Sequence, residues 1–382
     1  MTPGNQAGNE DELTLAEFAP RPALRVAHAG APRKPRWPAI DAHNHLGGAF
    51  GDASGDWPGR PVSALLAVLD EAGVEALVDL DGRYGDALRR EIARLQEPHP
   101  DRFAVFAGID YDGFANDPNF GETEARRLRG SAAAGARGLK IWKPLGLRLR
   151  DPRGRLIPVD DERLDPLWET AAELGLPVLI HIADPVAFFQ PLDRFNERYE
   201  ELQRHPDWHF WPTRPTPDPA HPDFPSFDEV IGQFWSLLQR HPRTTFIGAH
   251  VGCYAENLAW VGDTLDACPN FYVDPSARIA ELGRQPYTAR DSFIRYQDRI
   301  LFGTDHAPAV ETYRLYYRFL ETRDEYFDYS PKPTPGSGRW RIYGLGLPDD
   351  VLRKVYRDNA RRVVFGQADP TPAATEARSE EA

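Results

Sequence analysis

The chain has 382 residues and a formal net charge of −13. Such acidity repels a phosphate backbone, and no long basic stripe offsets it, so nucleic acid is excluded as a partner. Cys253 and Cys268 are the only cysteines, too few for a disulfide framework and in keeping with a reducing compartment. No run approaches the roughly 18–20 apolar residues of a membrane helix, and the N-terminus lacks the basic start and apolar stretch of a secretory signal. These features predict a soluble, cytoplasmic protein.

Residues 1–36 are polar and Gly-rich, then basic and Pro-interrupted, and follow neither the helix nor the strand period. They predict an extended, partly disordered N-terminal arm. From 37 to 366, short apolar runs alternate with amphipathic stretches. The first run is PAIDAHNH, followed by the helical pattern PVSALLAVLDEAG, with Pro61 near its start, Gly73 at its stop and Val62, Leu65, Leu66 and Leu69 on one face. VEALVDLD, FAVFAGIDYD and ARGLKIWK are the next strand candidates. DERLDPLWETAAELG then reads as a helix ending at Gly175. PVLIHIAD is the fifth strand candidate. SFDEVIGQFWSLLQR opens with Ser226 and Glu229 in a capping-box pattern. TTFIGAHVG, NFYVDPS and RILFGTDH complete about eight strands.

Apolar runs of this kind suit parallel strands covered by helices, and their repetition predicts an α/β (β/α)8 TIM barrel, with a doubly wound sheet as the alternative. Two connections are too long for simple turns, one from about Val186 to Pro225 and one from about Ala307 to Leu347. Long loops after strands 5 and 8 lie on the face where barrels carry their active sites. The segment 367–382 predicts a disordered acidic tail.

The sharpest feature is Asp41-Ala42-His43-Asn44-His45 on the first strand. Simple alternation turns Asp41, His43 and His45 to one face, where two imidazoles can chelate one divalent ion. His181, His250 and Asp305 each end a further apolar run. Polar groups at the ends of apolar strands are costly unless paired or metal-bound, and their number points to a site.

The pattern D-x-H-x-H on the first strand, His after the fifth and sixth, and G-T-D after the eighth resembles the amidohydrolase superfamily. It is most similar to the amidohydrolase-2 branch, which holds hydrolases, lactonases and aminocarboxymuconate-semialdehyde-decarboxylase-like enzymes. The resemblance spans about 37–366 and includes VLRKVYRDNARRVVF, similar to that branch's closing helix. It implies His43, His45, His181 and Asp305 as ligands of one divalent metal, Zn2+ first, with Mn2+ or Fe2+ as alternatives. It places His250 beside the reacting group. It also implies that Lys140, on the fourth strand, is either an uncoordinated cation or, carboxylated, the bridge of a second metal, with one metal the favoured count.

The expected chemistry is hydrolysis of an ester, lactone or amide by a metal-activated water, with Asp305 as proton shuttle and His250 steering the water or polarising the carbonyl. Lys140, Lys143 and Arg278 are cations that suit a carboxylate-bearing substrate, and Trp142 suits an apolar wall. Asp41 fits a role in orienting a ligand or a structural role, and Asp274 fits holding substrate or a cation. The alternatives are metal-dependent non-oxidative decarboxylation and a non-catalytic metal-binding barrel. A small-molecule substrate and a homodimer are the expected partners.

Overall fold

The computed structural model describes residues 13–14, 17–18, 20–27, 30–47, 56–114, 117–211, 224–330, 332 and 336–367. All of the expected tail, 367–382, except its first residue, and much of the expected arm lie outside these residues.

Seven strands form one parallel sheet in sequence order: β1 (Ala39–Asn44), β2 (Val74–Arg83), β3 (Phe103–Ala107), β4 (Leu139–Ile141), β5 (Val178–Ile180), β6 (Phe246–Gly248) and β7 (Phe271–Val273). The eighth apolar run closes the ring. Leu301 N–H donates to Val273 O at 2.9 Å, while Ala42 N–H donates to Phe302 O and Asp305 N–H to His43 O, both at 2.8 Å. Only Ile300 forms a ladder bridge, with Val273. The ladder to β1 is interrupted because Thr304 N–H is taken by the Asp41 carboxylate at 3.0 Å. The (β/α)8 barrel expected from the alternating pattern is thus the observed fold.

The helix signals hold locally. The first helix is Val62–Ala72, ended by Gly73 at φ 79°, and Asp165–Leu174 ends at Gly175 at φ 64°. Both are left-handed caps that suit glycine. Phe227–Arg240 starts in a complete capping box between Ser226 and Glu229. The barrel interior is filled by Ile40, Val78, Phe106, Leu179 and Ile247, and the last helical stretch adds Ala360, Val364 and Phe365 to the same apolar group. The closing segment VLRKVYRDNARRVVF therefore packs into the barrel.

Two expectations change. The connection expected as one long loop over about 307–347 begins with a helix, Val310–Glu321, whose Tyr313, Tyr316, Tyr317 and Leu320 are buried at helical spacing. Second, Asp41 does not share a face with His43. The pairing of β1 with β2 slips between Asp41 and Asn44, three residues against two (Asp41↔Leu77, Asn44↔Asp79). A bulge of this kind turns the strand by one side-chain step. Ile40 and Ala42 pack inside, while Asp41 faces the helix Val310–Glu321 and accepts from Tyr313 Oη at 3.0 Å. No helix among the described residues is long and apolar enough to cross a membrane.

Candidate metal centre

The expected site residues gather where the strands end. His43 comes from β1 and His45 directly follows it, Lys140 comes from β4, His181 directly follows β5, His250 lies in the turn after β6, and Asp305 ends the eighth segment. Gly303 is required beside them, since a Cβ there would lie 2.8 Å from His43 Cβ and 3.1 Å from His43 N. The backbone is strained at the same level. His250, Val251, Ala277 and Asp305 all have positive φ, between 51° and 60°. Non-glycine residues in this region cost on the order of 1–3 kcal/mol each and persist where surrounding contacts enforce them. Here the enforcing bonds are Val251 N–H to Asp274 O at 2.7 Å and His250 N–H to Asp274 Oδ1 at 3.2 Å.

Hydrogen bonds fix the tautomers of two imidazoles. His250 Nδ1–H donates to Ser276 O at 2.8 Å, which leaves the lone pair on Nε2. His43 Nδ1 lies 3.0 Å from Asp274 Oδ2 and 2.9 Å from Ser276 Oγ, and Ser276 Oγ–H in turn donates to Asp274 Oδ1. His43 Nε2 therefore also carries a lone pair. Both lone pairs face Asp305: His43 Nε2 is 3.7 Å from Oδ1 and His250 Nε2 is 3.6 Å from Oδ2. His45 Nε2 is 3.5 Å from Asp305 Oδ1, a buried oxygen that makes no hydrogen bond among the described residues. Acceptors converging on a buried carboxylate need a positive charge between them. His43, His250 and Asp305 each offer one donor atom within 4.8 Å of the others, so the arrangement fits a divalent ion.

His181 sits beside this group, its ring centroid 4.4 Å from that of His250. Its Nε2–H points to Ala183 O at 3.1 Å, with Asp184 Oδ1 at 3.5 Å, so its lone pair is on Nδ1. Burial lowers His43 and His250 well below the usual imidazole range and brings His45 and His181 down to about 4, so all four are neutral at pH 7. Burial pushes the Asp305 carboxyl up to about 7, against the pull of Lys140. Lys140 is brought down to about 8 by burial, against the pull of Asp305 and Asp274.

The expected substrate cations separate into two kinds. Lys143 is bound to Asp184 Oδ2 at 2.5 Å, under Trp208 and Phe210. Burial would raise Asp184, yet Lys143 and His181 hold it well below the usual carboxylate range. Lys140 is fully buried, 3.5 Å from His43 Nε2 and 5.0 Å from the Trp142 ring centre. Arg278 is 7% exposed, and its hydrogen bond is to Ala277 O at 2.9 Å. No carboxylate among the described residues lies within ion-pair distance of it, although its charge acts on His43, His250 and Asp305. Trp142 forms a wall against His45, with ring centroids 4.5 Å apart.

Asp41 accepts from His43 N–H, Thr304 N–H, Thr304 Oγ1, Asn44 Nδ2 and Tyr313 Oη, which ties the first strand to the eighth segment. It bonds backbone, hydroxyl and amide donors, and no imidazole. Asp274 orients His43. Sequence reasoning missed Asp81, Asp184 and Ser276. The available signal was position, since each lies just beyond the apolar part of a strand, in DLDG, HIAD and DPS.

A family model described as Amidohydrolase matches residues 40–366. Among solved structures, this chain is similar to 2,6-dihydroxybenzoate decarboxylase from Rhizobium, at 17% identity and TM-score 0.51, with 86% of this chain and 99% of that chain covered. It is likewise similar to dihydroxybenzoic acid decarboxylase from Polaromonas sp. JS666, solved with bound manganese and the inhibitor 2-nitroresorcinol, at 17% identity and TM-score 0.53, covering 87% and 98%. A putative amidohydrolase from Staphylococcus aureus matches at 15% identity and TM-score 0.52, covering 87% and 99%. No curated protein matches the chain.

Proposed function

The chain belongs to the amidohydrolase family, and from that premise we propose that it is a metal-dependent, non-oxidative decarboxylase of a small aromatic carboxylate. The observation that carries this is Arg278, a buried guanidinium with no carboxylate partner among the described residues, whose charge reaches the donor cluster. A buried unpaired cation is costly unless a ligand supplies the counter-charge. A substrate carboxylate would supply it, with geometry that suits a planar guanidinium. Hydrolysis, the chemistry first expected, uses the same donors, and a carboxylate-bearing ester or amide would also engage Arg278, so the guanidinium supports a carboxylate substrate under either reaction. The likeness to two decarboxylases of dihydroxybenzoates, one solved with manganese, supports decarboxylation as that reaction.

We place His43, His45, His181 and Asp305 as the metal ligands, with His250 across Asp305. His181 would ligate through Nδ1 or after its ring turns. Mn2+ suits this mixed nitrogen and oxygen set as well as Zn2+ does. The bound ion would supply positive charge that holds and polarises the anionic substrate. Arg278 binds the carboxylate, Trp142 stacks on the ring, and Lys140 neutralises negative charge developing beside His43. Asp305, ionised when it holds the ion, takes a proton from solvent and relays it to the ring carbon bearing the carboxylate. The carbon–carbon bond then breaks, its electron pair returns to the ring and CO2 leaves. Asp305 is left ionised as it began, so the sum is RCOO− + H+ → RH + CO2.

The test is a panel of hydroxylated benzoates with manganese- or zinc-loaded protein, followed by CO2 release. Turnover that disappears with chelator and with Asp305→Asn is expected. Hydrolysis of esters or lactones without CO2 release from any carboxylate would reverse the assignment.

A further inference from the structure

We propose that Asp81 is the positioning residue for His45, and that Arg83 holds Asp81 to this task. The inference rests on the metal site proposed above and adds a residue outside its ligand set. His43 has a buried carboxylate behind it, Asp274 Oδ2, at 3.0 Å from Nδ1. The second imidazole of the first strand has a counterpart. Asp81 Oδ1 lies 3.7 Å from His45 Nδ1, on the ring edge opposite the nitrogen that faces Asp305. At that distance it is an electrostatic contact rather than a hydrogen bond. Asp81 Oδ1 is buried and makes no hydrogen bond among the described residues, so none of their donors competes with the imidazole for it.

The other carboxylate oxygen is committed. Asp81 Oδ2 accepts from Gly47 N–H at 2.7 Å and pairs with Arg83 Nη1 at 2.6 Å. Arg83 is itself anchored by Asp79 at 3.2 Å and Glu91 at 3.6 Å, and Glu91 is held by Arg94. These contacts fix both the position and the rotation of the carboxylate, so Oδ1 has one orientation. A carboxylate there keeps the His45 proton on Nδ1 and the lone pair on Nε2, toward Asp305. Carboxylates behind metal-bound histidines raise ligand basicity, and their loss typically weakens metal affinity 10–100-fold.

The experiment compares Mn2+ and Zn2+ affinity, by competition with a chromophoric chelator, for the full-length protein, Asp81→Asn and Arg83→Met. The melting temperature of each metal-free form is followed in parallel. Asp81→Asn can still accept from Gly47 N–H, but it turns an N–H toward His45 Nδ1. We expect a 10–100-fold loss of metal affinity with little change in metal-free melting for Asp81→Asn. For Arg83→Met we expect a smaller loss of affinity with a lower melting temperature, because Asp79, Asp81 and Glu91 lose their shared cation. Equal affinity in all three proteins would overturn the role of Asp81. So would a loss of affinity in Asp81→Asn that only accompanies a collapse in its metal-free melting temperature. Failure of the unmodified protein to bind either metal would instead overturn the metal site itself.

Discussion

Replacing Arg278 by Met removes the guanidinium while keeping much of its buried volume. The protein loses the 2.9 Å bond to Ala277 O, which contributes about 1 kcal/mol. It also loses a cation whose charge reaches Glu201 and Glu256, neither within ion-pair distance among the described residues. Against this, a buried charge without a close counter-charge no longer has to be desolvated. The net cost to folding should stay within about 1 kcal/mol. The cost to substrate is larger, because two charge-assisted bonds to one carboxylate contribute together about 3–4 kcal/mol, or about 10²–10³ in kcat/KM. Arg278→Lys keeps the charge without the fork and should fall between. The assays are urea unfolding of the metal-free protein and kcat/KM for CO2 release. A fall in kcat/KM below tenfold, or a loss of stability above about 3 kcal/mol, would refute a substrate role and make Arg278 structural.

Asp305→Asn should abolish turnover and weaken metal binding, and CO2 release at the wild-type rate would remove Asp305 from the chemistry. Metal affinity should rise as pH increases toward and through about 7, because Asp305 must lose its proton while the neighbouring histidines are already neutral; a pH-independent affinity between 6 and 8 would contradict this. The same raised carboxyl works oppositely on folding without metal. The folded protein retains a proton that the unfolded chain loses near 4, so Asp305 stabilises most below that pH, and its contribution declines up to about 7. Asp305→Asn should flatten this part of the stability profile in urea melts. Asp41→Asn should destabilise by about 1–3 kcal/mol, because its amide meets Asn44 Nδ2 donor to donor where the carboxylate accepted; unchanged urea midpoints would refute its place as the link between first strand and eighth segment.

Much of this site could be read from the residues because barrel strands put their final side chains at one end. D-x-H-x-H, the histidines after β5 and β6 and the aspartate of G-T-D are all legible as strand-end polar groups. The barrel was legible for the same reason, in apolar runs separated by helices with recognisable caps. What stayed hidden depends on register and on distant pairing. Alternation alone places Asp41 with His43, and only the bulge between Asp41 and Asn44 separates them. His43 meets Asp274 across 231 residues, a contact that local pattern cannot encode. The helix Val310–Glu321 was obscured because its buried face is largely tyrosine and its neighbours are polar. The division between Lys143 and Arg278 rests on Asp184, which pairs with Lys143 and not with Arg278.

Labelled CO2 release tests the proposed function most directly. Carboxyl-13C hydroxybenzoates are incubated with manganese-loaded protein, and the headspace is followed by mass spectrometry. Decarboxylation predicts labelled CO2 that depends on metal and is lost with chelator and with Arg278→Met. No labelled CO2 from any member of the panel, with the same metal-loaded protein hydrolysing an ester or lactone, would contradict it.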